Sequence, residues 1–276
     1  MNILSCGSGM QSSALALMSC ENVKKGMVHP SIPIYDAIIF VDLGCEPEWV
    51  YRQTTFVSEI CKMCNIPFYI LKNDLYTDHM ERIRNGKFVK MPLWTMNDGK
   101  RGKLRRGCTF DYKIKTIQQF VKYELLGYDR KKNRTRPEDS KAHTMHIGFS
   151  AEEKHRASES LHPMFINKFP LIELGLERKD NYKYILEEWG LKTKASSCFI
   201  CPYHKNYYFN YLKIHYPNEY KQLCDFDRVL AEKPSFPVKA DLYVSYLCKR
   251  ICELKAEDCD DAETFEYEGQ KIWNGF

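Results

Sequence analysis

A glycine- and serine-rich loop separates an apolar stub from an apolar helical run at the start of the chain. Ile3-Leu4 leads into Ser5-Cys6-Gly7-Ser8-Gly9-Met10-Gln11-Ser12-Ser13, and Ala14-Leu15-Ala16-Leu17-Met18 follows. That order is strand, tight loop, helix. Gly7 and Gly9 let the backbone pass close to a bound anion, and the first free N–H groups of the helix point at it. Hydroxyls of Ser8, Ser12 and Ser13 suit phosphate oxygens as further donors. A serine-capped turn has the same outline. Four hydroxyls packed around two glycines favour a phosphate loop.

The loop is neither of the two commonest kinds. It lacks the lysine-serine/threonine ending of a Walker loop, and Ser12 stands where a dinucleotide fingerprint needs a third glycine. Apolar segments at 2–5, 37–41, 67–71 and 144–149 read as buried parallel strands. Helical patterns at 12–25 and 47–63 separate the first three. The expected fold is α/β, a doubly wound parallel sheet with helices on both faces. Ligands bind such sheets beyond the C-terminal strand ends, which singles out 5–13, 42–48 and 150–156. An insertion at 75–126 borders that rim, a polar linker spans 128–141, and later helices are expected at 182–189, 207–211, 217–225 and 240–254. Residues 258–276 are acidic and poorly periodic.

No apolar run is long enough to span a bilayer, and the first residues carry no secretory pattern, so a cytoplasmic protein without a membrane partner is expected. Twelve cysteines in 276 residues then suggest metal or redox chemistry rather than disulfides. The net charge of +5 is modest. Two clusters concentrate it: Lys100-Arg101-Gly102-Lys103-Leu104-Arg105-Arg106, facing a phosphorylated ligand, and 130–136, read as a solvated face.

Asp42 ends the second strand, where a carboxylate meets a ribose or the edge of a base, and Gly44 permits close approach. In Ser150-Ala151-Glu152-Glu153-Lys154-His155-Arg156, Glu152 or Glu153 suits Mg²⁺ or a sugar hydroxyl, and Arg156 a phosphate or sulfate. Cys198 and Cys201, stiffened by Pro202, can bite one metal; His204 and Cys108 are candidate further ligands. Cys61, Cys64, Cys248 and Cys252 read as packing and surface cysteines, and Cys6 as buried.

These motifs resemble the adenine nucleotide α-hydrolase (PP-loop) superfamily, whose loop is usually Ser-Gly-Gly-x-Asp-Ser. Within it the chain looks most like the phosphoadenosine phosphosulfate (PAPS) reductase-like branch, including members on phages and mobile elements. The branch's Arg-x-Cys-Thr and Tyr-Lys-Ile elements correspond to Arg106, Cys108, Thr109, Tyr112, Lys113 and Ile114, and its Ser-x-Cys-x-x-Cys-Pro element to 196–202. Gln11 replaces the loop aspartate, and Asn181 stands where a fourth cysteine often follows Arg-x-Asp.

The resemblance covers residues 1–204 as a nucleotide-binding domain and leaves 205–276 as a helical extension. It implies ATP (or PAPS) with Mg²⁺, held by Ser5, Gly7, Ser8, Gly9, Gln11, Ser12, Ser13, Asp42 and Gly44, with Glu152, Arg156 and Arg106 as catalytic groups. It further implies a [4Fe-4S] cluster, alternatively Zn²⁺, on Cys108, Cys198, Cys201 and His204. The expected activity is cleavage or use of the nucleotide at its α-phosphate, coupled to sulfur transfer. A PAPS or adenylylsulfate reductase, and a catalytically inactive nucleotide-sensing or nucleic-acid-binding module, are the alternatives. Partners are an adenine nucleotide and a nucleic-acid or small phosphorylated substrate, with a homodimer among the expected assemblies.

Overall fold

The computed structural model describes residues 1–131, 134–232 and 240–273. In chain order its elements are β1 (Asn2–Cys6), α1 (Met10–Lys25), β2 (Ala37–Asp42), α2 (Glu48–Met63), β3 (Phe68–Lys72) and α3 (Leu75–Arg84). Then come β4 (Trp94–Asn97), β5 (Lys100–Lys103), α4 (Lys115–Phe120), β6 (His143–Ile147), β7 (Phe165–Lys168), α5 (Pro170–Glu173) and α6 (Arg178–Trp189). The remainder is α7 (Asn206–His215), α8 (Pro217–Glu232), β8 (Asp241–Tyr243), β9 (Thr264–Tyr267) and β10 (Gln270–Trp273).

Five parallel strands form the central sheet in the order β3-β2-β1-β6-β7. Alternation along the strands feeds two cores. Ile3 and Ile39 face one beneath α7 and α8, whereas Leu4 and Ile38 face the other against α1, α2 and α6. The fold is therefore doubly wound α/β. The chain runs outwards from β1 through β2 to β3 and then returns to the opposite side of β1 as β6. The β1/β6 junction is the topological switch point, where a crevice opens beyond the strand ends.

α1 runs from Gly9 at its N-cap to Gly26, whose φ of 78° is the left-handed turn that ends the helix. Lys24 and Lys25 in its last turn complement the helix dipole. Between α1 and α2, the Cys20 thiol donates to Cys61 Sγ over 3.6 Å and Cys64 is buried, so these cysteines pack the core.

Three features differ from expectation. β7 adds a fifth parallel strand at the sheet edge. The helix expected at 240–254 is instead β8, joined antiparallel to β4 in a three-stranded sheet with β5, followed by a short 3₁₀ turn at Ile251–Glu253. Arg250 decides this locally, because its guanidinium donates to Leu242 O and to Asp227 on α8. The poorly periodic tail holds the antiparallel hairpin β9–β10. Of the second basic cluster, Lys132 and Asn133 lie outside the described residues; Arg130 pairs with Glu124 at 2.6 Å and Arg136 with Asp139 at 2.9 Å. Among the described residues no helix is long and apolar enough to cross a membrane.

Candidate functional site

The loop between β1 and α1 is held by its own atoms. Ser8 takes φ 53°, a left-handed conformation unusual for serine. Ser12 Oγ accepts from the Gly7 N–H at 3.2 Å and donates to Gly9 O at 3.3 Å. Gln53 of α2 donates to Ser8 O (2.5 Å) and Lys194 O (3.1 Å), and accepts from the Lys194 N–H (2.7 Å). It thereby ties the loop to the segment that covers it. A Cβ on Gly9 would lie 2.8 Å from the Ser196 backbone nitrogen, and one on Gly148 would lie 2.8 Å from that of Ser12. Both glycines are required by close backbone approach. Ser8 and Ser13 are fully buried and Cys6 nearly so; burial pushes the Cys6 thiol up.

A cavity of about 440 Å³ opens over this loop at the switch point. Ser5, Gly7, Gly9, Gln11 and Ser12 line it beside the α1 N-terminus, and Arg106, Lys113, Arg156, Arg178 and Lys205 also face it. Among the described residues two carboxylates, Glu153 and Glu263, stand against those five cations. Helix N-terminus and guanidinium groups together make an anion site.

Glu153 rather than Glu152 faces this cavity. Ser150 caps the turn Ala151–Arg156 in a reciprocal capping box with Glu153, which buries the Glu153 side chain. Its Oε2 accepts from Gln11 Nε2 at 3.0 Å, while Oε1 meets Arg178 Nη2 at 3.3 Å and the Arg156 guanidinium. Glu152 points elsewhere and accepts from the Arg178 N–H at 3.0 Å. Burial opposes the Glu152 charge, but that hydrogen bond and its neighbours hold its carboxyl below the usual range. Arg156 also lies 4.3 Å over the Phe149 ring.

Asp42 and Gly44 are not among the residues lining the cavity. The Asp42 carboxylate accepts from the Gly44 N–H at 2.9 Å and the Tyr51 hydroxyl at 2.8 Å, closing its own loop. Gly44, at φ +70°, lies against Asp74, the N-cap of α3.

Beyond the loop lie the thiols. Cys201 lines the cavity, Cys108 and Cys198 are half-buried, and buried Cys45 lies beside the Cys198 thiol. The Phe199 N–H donates to Cys45 O at 2.8 Å and fixes that approach. Burial, with Cys198 adding to it, pushes the Cys201 thiol up to about 11; burial also raises Cys108, against the nearby Arg106 charge. Lys113 reaches between loop and thiols: its Nζ is 2.9 Å from Glu46 Oε1. Burial opposes its charge, yet Glu46 and Cys198 outweigh burial and raise its pKa.

His204 does not join the thiols. Its Nε2 donates to the Cys198 carbonyl at 3.0 Å and its ring stacks on Tyr208 with centroids 3.4 Å apart. Burial lowers its pKa to about 3, so it is neutral. Among the described residues no three His, Cys, Asp or Glu side chains converge to hold a metal ion. As they stand, the described side chains do not close on a single Zn²⁺ or Mg²⁺. The all-thiol set is chemically suited to an iron–sulfur cluster, which is wider than one ion. Among the described residues, buried Glu46 Oε2 and the Tyr208 hydroxyl have no hydrogen-bond partner.

Cys45, Lys113 and Arg178 are functional candidates that the sequence did not single out, and Glu153 is the one it left undecided against Glu152. Lys113 belongs to the Tyr-Lys-Ile element and Cys45 to the 42–48 segment; only the fold shows that they meet.

No protein-family model matches the chain, and no curated protein does. Among solved structures it is similar to the U34-tRNA thiolase NcsA from Methanococcus maripaludis with its [4Fe-4S] cluster. The two share 15% identity over 91% of this chain and 78% of that chain, with a TM-score of 0.38. At that level the likeness carries nothing about chemistry.

Proposed function

We propose that this chain is an ATP-using enzyme that activates an acceptor at the nucleotide α-phosphate and couples this to sulfur transfer at its thiols. One observation carries the reading: a single cavity joins the glycine loop and α1 N-terminus to Lys113, Arg106 and Cys201. The motif resemblance to the PP-loop superfamily supports it.

In this reading the loop N–H groups and α1 bind the β- and γ-phosphates, with Mg²⁺ carried in on the nucleotide. An acceptor oxygen attacks the α-phosphorus, the α–β P–O bond breaks, and pyrophosphate leaves with the bonding pair. Lys113, Arg156 and Arg178 offset the charge that develops there. Glu153 holds both guanidinium groups in place. Cys108, Cys198 and Cys201, with Cys45 behind them, would hold a [4Fe-4S] cluster, which when bound supplies a place to keep sulfide for transfer. Arg106, stacked 5.3 Å over Tyr203, faces the incoming acceptor.

The test is product analysis with ATP, alongside titration of α,β-methylene-ATP. AMP and pyrophosphate are expected. ADP and phosphate as products, or no binding of the analogue, overturns the reading.

A further inference from the structure

Next to the loop cavity lies a second one, of about 420 Å³. Ser5 and Ile147, paired in register across β1 and β6, line both. One wall is a helix face: Phe110, Ile114, Ile117 and Gln118 recur at the spacing that places them on one side of the helical stretch through α4. The floor is the sheet at Met145 and Phe165, and the segment 158–163 closes the far side. Here helix and sheet leave a gap where a core is normally filled. Its lining is mostly apolar with a few polar groups, the composition of a ligand site. Phe110 (54%), Ile114 (40%) and Leu161 (101%) are strongly exposed.

A second observation, on charge, is independent of the cavity. Lys100, Arg101, Lys103, Arg105 and Arg106 are all exposed, on β5 and the segment leading from it to Phe110. Among the described residues none of the five pairs with a carboxylate. They meet aromatic rings instead: Lys103 Nζ lies 4.9 Å from the Trp94 ring and 4.5 Å from that of Tyr203. Unneutralised cations beside the half-buried Trp94 and the exposed Tyr203 ring form a surface for a nucleic-acid backbone.

We propose that the acceptor is a single-stranded nucleic acid. Its phosphates run along residues 100–106, and one unstacked base enters the second cavity between Phe110 and the 158–163 segment. A splayed base is held by an aromatic face and by polar groups at its edge, here Gln118 and His162. The shared wall at Ser5 and Ile147 sets that base beside the loop. The inference rests on the loop cavity being the ATP site.

The test is fluorescence anisotropy with a labelled 12-nucleotide strand, as RNA and as DNA, with α,β-methylene-ATP present. The wild-type protein is expected to bind at least one of the two, and to bind an abasic version at least tenfold more weakly. Phe110→Ala and Ile114→Asp, both at exposed positions, should weaken the intact strand about tenfold and leave α,β-methylene-ATP binding unchanged. Lys103→Ala with Arg105→Ala should flatten the salt dependence. Equal binding of abasic and intact strands overturns the proposal. So does a loss of α,β-methylene-ATP affinity in Ile114→Asp, which would assign the cavity to the nucleotide's own base. Failure of the wild-type protein to bind α,β-methylene-ATP would instead strike the ATP reading, and strand binding would still be measured without it.

Discussion

The side-chain amide of Gln11, in the first turn of α1, donates to Glu153 Oε2 across 3.0 Å and bridges the switch point. Glu153 already faces Arg156 and Arg178, so an uncharged donor is the complementary third partner. A carboxylate at position 11 would put two like charges together in a half-buried site. Glutamine at position 11 is thus matched to what the loop faces in this chain.

Gln11→Asp should therefore weaken α,β-methylene-ATP binding at least tenfold, and Glu153→Gln in the same chain should recover most of it. Calorimetric titration of both single variants and the double gives the coupling. We expect at least about 1 kcal/mol between the pair. Additive effects would mean that the bond seen here does not govern the loop.

Gly9 and Gly7 should differ sharply on replacement by alanine. At Gly9 the new Cβ meets the Ser196 backbone nitrogen at 2.8 Å, whereas at Gly7 it meets only the Ser196 hydroxyl, at 3.0 Å. A hydroxyl rotates; a backbone must move. Gly9→Ala is expected to cost roughly 1–3 kcal/mol in urea unfolding and to displace the covering segment, and Gly7→Ala under about 1 kcal/mol. Equal costs would show that segment 194–197 yields freely.

Much of the frame was legible because buried parallel strands advertise themselves. Ile38, Ile39, Phe40 and Val41 form an apolar run that only a strand covered on both faces needs. β7 carries no such signal: Ile166 and Lys168 are exposed and Asn167 is half-buried, as an edge strand permits. The loop was legible from local chemistry. Glu152 and Glu153 are neighbours of one type, and only the facing of a 3₁₀ turn tells which enters the cavity. Cys45 meets Cys198 through the tertiary fold, which no spacing encodes.

Acid should loosen the α1–α6 packing at a single carboxyl. Burial alone would raise the Glu21 pKa, but Lys25 (2.6 Å), His29 (2.8 Å) and Tyr184 of α6 (2.8 Å) hold it at about 2, below its ordinary 4.5. Because the folded value lies below the unfolded one, the stabilisation is complete above pH 4.5 and is lost as pH falls towards 2. Its size is at most about 3 kcal/mol, less screening at exposed Lys25. Urea unfolding at pH 7 and pH 3 should show a smaller difference in Glu21→Gln than in the wild-type protein. An unchanged difference would place the acid sensitivity elsewhere.

The thiol site and His204 should separate on substitution. Cys198 faces Cys45 and is sensed by Cys108 and Cys201, whereas His204 spends Nε2 on the Cys198 carbonyl and stacks on Tyr208. After anaerobic purification, iron and acid-labile sulfide are expected in the wild-type protein and absent from Cys198→Ala. His204→Phe keeps a ring against Tyr208 and loses the hydrogen bond, so it should retain the iron while losing about 1–2 kcal/mol of stability. Iron lost equally in both variants, with the fold intact by circular dichroism, would make His204 a ligand. Stoichiometric zinc in place of iron would show a single ion drawing these thiols closer together than they stand here, and would remove the sulfur-holding step from the proposed reaction.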